Sequence, residues 1–189
     1  GIDEIVILNI SRQKKDLYIF PDLIKNCFIS VAVGGGIDSI KDIDFLIKSG
    51  ADKVVINTEA YKNPNLLKIT SQKYGKQSLI VSIDVKKVKN KYVVFVNSGK
   101  TKSKKSLEET INIAENNGAG EILINSIDRD GTKNGFDFKL TTLVKSYTNL
   151  PLNICGGAGK ISDFEKIIDF NPSGICAANF FHFKEQRVR

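Results

Sequence analysis

The chain says much of itself twice. "IDEIVILNIS" at 2–11 is echoed by "AGEILINSID" at 119–128, "VGGGI" at 33–37 by "CGGAG" at 155–159, and "ADKVVINT" at 51–58 by "PSGICAAN" at 172–179. The three blocks keep their order and nearly constant spacing, so a series of structural elements is duplicated. Around them, β-branched runs alternate with segments of helical period. Strands are expected at 4–10, 29–33, 53–57, 79–84, 121–127, 151–155 and 174–178, with a hairpin-like strand in "YVVFV". Helices are expected near 17–27, 38–49, 64–74, 106–117, 137–147 and 162–170. Asp38 and Ser162 are the expected N-caps, Gly50 and Gly118 the expected stops, and Pro64 suits a first turn.

The strands read apolar on both faces, as parallel strands under helical cover do. Counting elements does not separate an open doubly wound sheet from a barrel. The repeat does, because a duplicated four-strand unit closes naturally into eight strands. The expectation is an α/β fold, a (β/α)8 TIM barrel with half-barrel duplication, as a single domain over residues 1–189. In this phasing the mate of 79–84 would precede residue 1. The barrel is therefore expected to lack its opening strand here and to leave two strands as unpaired edges. The absence of methionine, even at position 1, points the same way.

With 189 residues and 41% hydrophobic content there is material for one real core. No apolar run approaches a membrane span and no signal-peptide pattern opens the chain, so a cytoplasmic protein is expected. Cys27, Cys155 and Cys176 have no zinc or disulfide spacing and read as free, buried thiols of a reducing compartment. The net charge of +7 is concentrated in lysines at 86, 87, 89, 91, 100, 102, 104 and 105. Without aromatic interleaving these read as solvated loops or as a basic patch for an anionic small molecule, not as a nucleic-acid surface.

Chemistry is expected where strands end, on the face that carries TIM-barrel active sites. Gly34, Gly35 and Gly36 follow one strand directly, and Gly156, Gly157 and Gly159 repeat the arrangement. Glycine lets backbone N–H groups approach an anion, and a following helix adds positive potential. About one strand further on come Asn57 and Thr58 in the first copy, and Ala178 and Asn179 in the second. Two opposed cradles would suit a substrate with two phosphates; two structural glycine turns are the alternative. Asp84 closes "LIVSID" and Asp130 lies just past the next barrel strand, where apolar surroundings can raise a carboxyl pKa towards neutrality. Asp130 also reads as a turn residue before Gly131, while Asp128 and Arg129 pair locally or with a neighbouring loop, and Arg129 has the charge to meet an anion. Ser98 and Gly99 offer small surfaces to a substrate, and His182, set among Phe180, Phe181 and Phe183, reads as a near-core histidine. No metal site or cofactor is indicated. Glu4, Lys53 and Glu121 each open a strand, on alternate strands of the barrel, so they can share one interior layer with Lys53 between the two carboxylates. The alternative is exposed charge at strand starts.

"VGGGI", "GADKVVINT", "VSID", "GAGEILINSIDRDGTKNGFD", "CGGAGK" and "FFHFKE" resemble the cyclase subunit of imidazole glycerol phosphate synthase, in order and over nearly the whole chain. The resemblance implies a lyase of histidine biosynthesis that needs no cofactor. Ammonia from a partner glutaminase attacks a bisphosphorylated phosphoribulosyl-formimino-aminoimidazole-carboxamide ribonucleotide, giving imidazole glycerol phosphate and aminoimidazole-carboxamide ribonucleotide. The family's two catalytic aspartates end the first and fifth barrel strands; the second matches Asp84 and the first falls before Gly1. Asp130 matches a supporting acid. Gly36, Asn57 and Thr58 match one phosphate site, and Gly157, Ala178 and Asn179 occupy the other, with Asn179 where the family usually has Ser. Glu4, Lys53 and Glu121 match the charged ring at the ammonia entrance, on the face where the glutaminase docks. Asn9 departs from the family, replacing an acidic residue, and the segment after it is short. "CFISVAVGGGI" and "FFHFKEQRVR" also resemble a paralogous branch that partners an amidotransferase adding nitrogen to surface-polysaccharide sugars. That branch is the alternative function.

Overall fold

The computed structural model describes residues 2–11 and 13–182, apart from the side chains of Lys15, Asn179 and His182. The expectations for the side chains of Asn179 and His182 therefore lie outside the described residues. The chain forms two compact units, one of Gly1–Val81 with Ile113–Glu121 and the other of Ser82–Asn112 with Ile122–Arg189.

In the first unit, β1 (Glu4–Leu8) is followed by a 3-10 turn and by α1 (Phe20–Ile24). Next come β2 (Ser30–Gly34), α2 (Ile40–Lys48), β3 (Lys53–Ile56), α3 (Thr58–Lys62) and α4 (Pro64–Tyr74). The start of β4 (Leu79–Val88) completes the unit's sheet. All pairings are parallel: Glu4 with Ser30, Ala32 with Lys53 and Val54 with Leu79 set the registers. Val54, Val55, Ile56, Leu79, Ile80 and Val81 are consecutive apolar residues and all are buried, as strands covered on both faces require. Ile43 and Leu46 of α2 and Leu66 and Leu67 of α4 bury their apolar stripes in the same unit.

The second unit takes up β4 and turns it back at Lys89 and Asn90, whose positive φ angles of 45° and 62° make a two-residue hairpin into β5 (Lys91–Val96). β6 (Thr101–Lys102), α5 (Leu107–Asn116), β7 (Glu121–Ser126), α6 (Phe138–Lys145), β8 (Leu152–Cys155), α7 (Ile161–Ile168), β9 (Gly174–Cys176) and α8 (Asn179–His182) follow, the end of α5 from Ile113 and the first residue of β7, Glu121, belonging to the first unit. β7, β8 and β9 pair in parallel, and the Ile127 N–H just after β7 donates to the Val85 carbonyl of β4 at 3.0 Å. Phe136, Phe164 and Phe180 stack edge to face in this unit's core, with ring centroids 5.6 and 5.1 Å apart.

Parallel strands alternating with helices confirm the expected α/β class, and each expected strand is present within a few residues. Several local expectations need correction. The helix expected over 17–27 is a 3-10 turn over Lys14–Ile19 and then α1, because Pro21 has no N–H for an i→i−4 bond and fits only a helix's first turn. Ser39, not Asp38, caps α2: its extended backbone leaves Oγ to accept from the Asp42 N–H, and Asp42 bonds back to the Ser39 N–H. Asp38 instead pairs with Lys14. α7 begins one residue ahead of Ser162, its end held by Asp163, which accepts from the N–H groups of Gly159 and Lys160 at 3.0 Å each. Gly50 and Gly118 end their helices as expected, at φ of 103° and 90°.

Candidate functional site

The repeated glycines do the same structural work in both units. Gly35 follows β2 at φ +88°, and a Cβ there would lie 2.2 Å from the carbonyl oxygen of Asn9, just past β1. Gly156 follows β8 at φ +97°, and its Cβ would lie 2.5 Å from the carbonyl oxygen of Ser126, the last residue of β7. Close backbone passage and a left-handed turn each demand glycine before any ligand is considered. Gly157, at φ +104°, is tighter still: its Cβ would lie 2.1 Å from the Gly135 carbonyl oxygen. Gly157→Ala is expected to cost about 1–3 kcal/mol from the forced φ alone. Thermal denaturation should show it as a melting point lower by roughly 5–10 °C; an unchanged melt would mean that the turn relaxes freely.

Because Gly34 pairs with Val55, the glycine turn after β2 lies beside the end of β3, where Asn57 and Thr58 begin α3. Asn57 has φ −113° and ψ −91°, makes no capping bond through its side chain, and buries its Oδ1 without a hydrogen-bond partner. A half-turn of the amide would present Nδ2, a donor suited to a phosphate oxygen, in the same place. In the second unit Cys155 pairs with Cys176, which brings the Gly156–Gly157 turn beside Ala178 and the start of α8.

Asp84 was expected to close its strand. It lies mid-strand instead, paired with Phe95, because the β5 hairpin extends β4 by four residues to Val88. The side chain is half-buried, and Asn125 Nδ2 on β7 donates to its Oδ1 at 3.3 Å. Asn125 pairs with Cys155, which pairs with Cys176, so strand neighbours β7, β8 and β9 each place one polar residue at the same level. Cys155 senses this surrounding. Burial pushes its thiol up to about 12, and the charges of Cys176, Asp130 and Asp84 add to the shift. Asp84, Asp130 and the two thiols are thus one electrostatic neighbourhood.

Two expectations fail here. The cysteines are free, but all three residues are half-buried where buried thiols were expected. Asp130 is exposed on a turn whose N–H donates to the Ser126 carbonyl, so no apolar ring surrounds it. The D-G turn chemistry dominates at that position.

The rest of "SIDRDGT" braces that turn. Asp128 accepts from Ser126 Oγ, the local contact expected of it, and from the Lys87 N–H of β4, a strand where a neighbouring loop was the expected alternative, both at 3.2 Å. Arg129 Nη1 donates to the carbonyls of Asn134, Gly135 and Phe136 at 3.3, 2.9 and 3.3 Å, and its Nε lies 3.6 Å from Asp137 Oδ2. Asp137 also caps α6 through the Leu140 N–H and accepts from the Tyr92 hydroxyl at 2.8 Å. Burial, followed by that bond, holds the Tyr92 phenol well above its usual range. A shallow cleft of about 240 Å3 lies over this brace, lined by Lys87, Tyr92, Arg129, Asp137, Phe138 and Lys139. Of the residues expected to meet an anion it contains Lys87 and Arg129, but none of the expected catalytic or phosphate-turn residues. Ser98 and Gly99 form a left-handed turn after β5, at φ of 56° and 70°, and a Cβ on Gly99 would lie 3.0 Å from Ile127 Cδ1. Gly131, at φ +74°, ends the acidic turn.

At the opposite strand ends, in the first unit, the charged layer forms as expected. Lys53 Nζ lies 2.6 Å from Glu4 Oε2 and 2.7 Å from Glu121 Oε1, and Ser30 Oγ donates to Glu4 Oε2 at 3.2 Å. Burial works against the Lys53 charge. The bonds to Glu121 and Glu4 outweigh it and raise the ammonium's pKa.

Sequence reasoning missed Asn125, Tyr92 and Asp137. The polar break in "EILINSI" marks Asn125, and an Asp just before an apolar-periodic run marks a cap at Asp137. Nothing local marks Tyr92. Asn9, the departure from the family, organises its own turn: Oδ1 accepts from the Ser11 N–H and hydroxyl while Nδ2 donates to the Gln13 carbonyl. A carboxylate has no proton for that last bond. Among the described residues no cluster of three or more His, Cys, Asp or Glu side chains could hold a metal, and no helix is long and apolar enough to cross a membrane.

Glycine turns at the ends of parallel strands, repeated in each unit between alternating strands and helices, define an α/β protein of the TIM-barrel class. The chain belongs to the histidine biosynthesis protein family, whose model matches residues 1–187. It is 41% identical to the imidazole glycerol phosphate synthase subunit HisF of Helicobacter hepaticus, covering 100% of this chain and 77% of that protein. The proteins of the same name from Dictyoglomus turgidum and Sulfolobus acidocaldarius are 40% and 41% identical, over 97% and 96% of this chain and 75% and 74% of theirs.

Proposed function

We infer that this chain is the cyclase subunit of imidazole glycerol phosphate synthase, acting in histidine biosynthesis. It uses glutamine-derived ammonia to convert the phosphoribulosyl-formimino-aminoimidazole-carboxamide ribonucleotide to imidazole glycerol phosphate and aminoimidazole-carboxamide ribonucleotide. Whole-chain similarity to the HisF proteins carries the assignment. Asp84 serves as the acid/base group, with Asp130 in support. Gly35, Gly36, Asn57 and Thr58 receive one phosphate; Gly156, Gly157, Ala178 and Asn179 receive the other, with Ser98, Gly99 and Gly131 adding small contacts. Lys53, Glu4 and Glu121 guard the ammonia entrance, on the face where a HisH-type glutaminase docks.

Turned by half, so that Nδ2 takes the place where Oδ1 is buried without a partner, the Asn57 amide would donate to a phosphate beside the first glycine turn, and this best supports a ligand there. The amide is costly to bury unsatisfied and reasonable to keep if a phosphate is its partner. Asn57→Ala is expected to weaken binding of inorganic phosphate and of the bisphosphorylated substrate about 10- to 100-fold, the worth of a hydrogen bond to a charged group. Calorimetric titration measures it. Unchanged binding of both ligands removes the phosphate role of this turn.

A further inference from the structure

Asn125 interrupts the apolar run of β7, and no step of the reading above uses it. Its Nδ2 donates to Asp84 Oδ1 at 3.3 Å, and its own Oδ1 is buried with no hydrogen-bond partner among the described residues. The orientation of the amide follows from chemistry, since an ionised carboxylate only accepts hydrogen bonds. The nitrogen must face Asp84, so the oxygen must face elsewhere. A buried acceptor left single is a standing penalty, and an apolar side chain at this position would avoid it. Something that donates a hydrogen bond therefore belongs at Oδ1 in the working state.

The neighbours narrow what that is. Asn125 pairs with Cys155 on β8, and Cys155 pairs with Cys176 on β9. Thiols are weak donors. Across from Asp84 on β5 stands Phe95, whose side chain offers no hydrogen-bonding group. The titratable groups of this neighbourhood are Asp84 on β4, Asp130 on the turn after β7, Cys155 and Cys176. The two carboxylates act as acceptors when ionised, so the missing donor comes from outside the row.

We propose that Asn125 is the positioning residue for Asp84, fixing the carboxylate through Nδ2, and that its Oδ1 receives an N–H of the reacting molecule, ammonia or a substrate nitrogen. One planar amide then sets the distance between the acid/base group and the nitrogen it serves. The proposal rests on the reading of Asp84 as that group.

The test uses the full chain and the variants Asn125→Ala and Asn125→Asp. Carboxyl carbon NMR follows the titration of Asp84, whose signal is assigned by its loss in Asp84→Asn. Without the donor, the Asp84 pKa should rise by about one unit in Asn125→Ala. In Asn125→Asp two carboxylates meet, so the pair should retain a proton to distinctly higher pH. Ammonium-dependent turnover separates the two ends of the amide. Asn125→Asp keeps an oxygen acceptor, so KM for ammonium holds while the acid limb of the pH profile moves up. Asn125→Ala loses both ends, so KM for ammonium rises about tenfold and kcat falls. A purely structural asparagine would change the melting temperature and leave the Asp84 titration in place.

An Asp84 titration that stays within experimental error of the parent in both variants overturns the proposal. So does a KM for ammonium that is unchanged in Asn125→Ala. If Asp84→Asn keeps full turnover, the acid/base reading fails instead, and the NMR titration still decides whether Asn125 holds that carboxylate.

Discussion

Asp84→Asn is expected to reduce ammonia-dependent turnover by roughly 10²- to 10⁴-fold, the usual contribution of a positioned general acid or base, while the protein stays folded. The substitution is nearly isosteric, and the pairing of residue 84 with Phe95 is made by the backbone. Asn125 Nδ2, now 3.3 Å from the carboxylate, can still donate to an amide oxygen at position 84. What disappears is the exchangeable carboxyl proton. Steady-state turnover with ammonium and the bisphosphorylated substrate, together with thermal denaturation, checks both halves of the expectation. Binding of the substrate should change little, because the phosphate turns are built from other residues. Turnover retained at the parent level with an unshifted pH profile would take the acid/base role from Asp84.

The sequence made the order of elements legible because each obeys a local rule. Val54, Val55 and Ile56 of β3 and Leu79, Ile80 and Val81 of β4 are continuous apolar runs, and such runs between turn signals are buried strands. The glycine turns were legible as a repeated pattern, and the matching approaches of Gly35 to Asn9 and Gly156 to Ser126 give the pattern its physical cause. Lys53 was legible as the centre of an ion triplet because opposite charges that open alternate barrel strands can share one layer. Features that depend on a distant partner were not legible. "LIVSID" reads as a strand ending at its aspartate, since nothing in those letters reveals that a hairpin returns to carry the strand on to Val88. Asp130 reads as a rim carboxylate from its distance past the strand, whereas it stands exposed on the turn that Gly131 ends. The contact between Asp84 and Asn125 joins residues 41 apart in sequence, and only the register of β4 against β7 creates it.

Lys53→Met should produce the largest loss of stability of any single charge change in the first unit. The lysine holds Glu4 at 2.6 Å and Glu121 at 2.7 Å, and all three side chains are mostly covered, with exposures of 22%, 24% and 18%. Removing the cation leaves two carboxylates facing each other across a partly desolvated gap. Breaking a fully buried pair costs about 3–5 kcal/mol, and the residual exposure here brings the expectation to about 2–3 kcal/mol. Chemical denaturation at neutral pH measures it. Adding Glu4→Gln and Glu121→Gln should restore much of the loss, because the penalty comes from uncompensated charge and not from the missing side chain. pH provides an independent check. The folded state raises the Lys53 pKa above 10.5, so folding favours the protonated lysine. That contribution is fully present below the unfolded value and disappears as pH rises through the folded one. The parent protein should therefore lose this stability above pH 10.5, and Lys53→Met should lack that part of the alkaline decline. A variant as stable as the parent at neutral pH, with the same alkaline profile, would reduce the triplet to surface charge and leave the proposed ammonia entrance without its central cation.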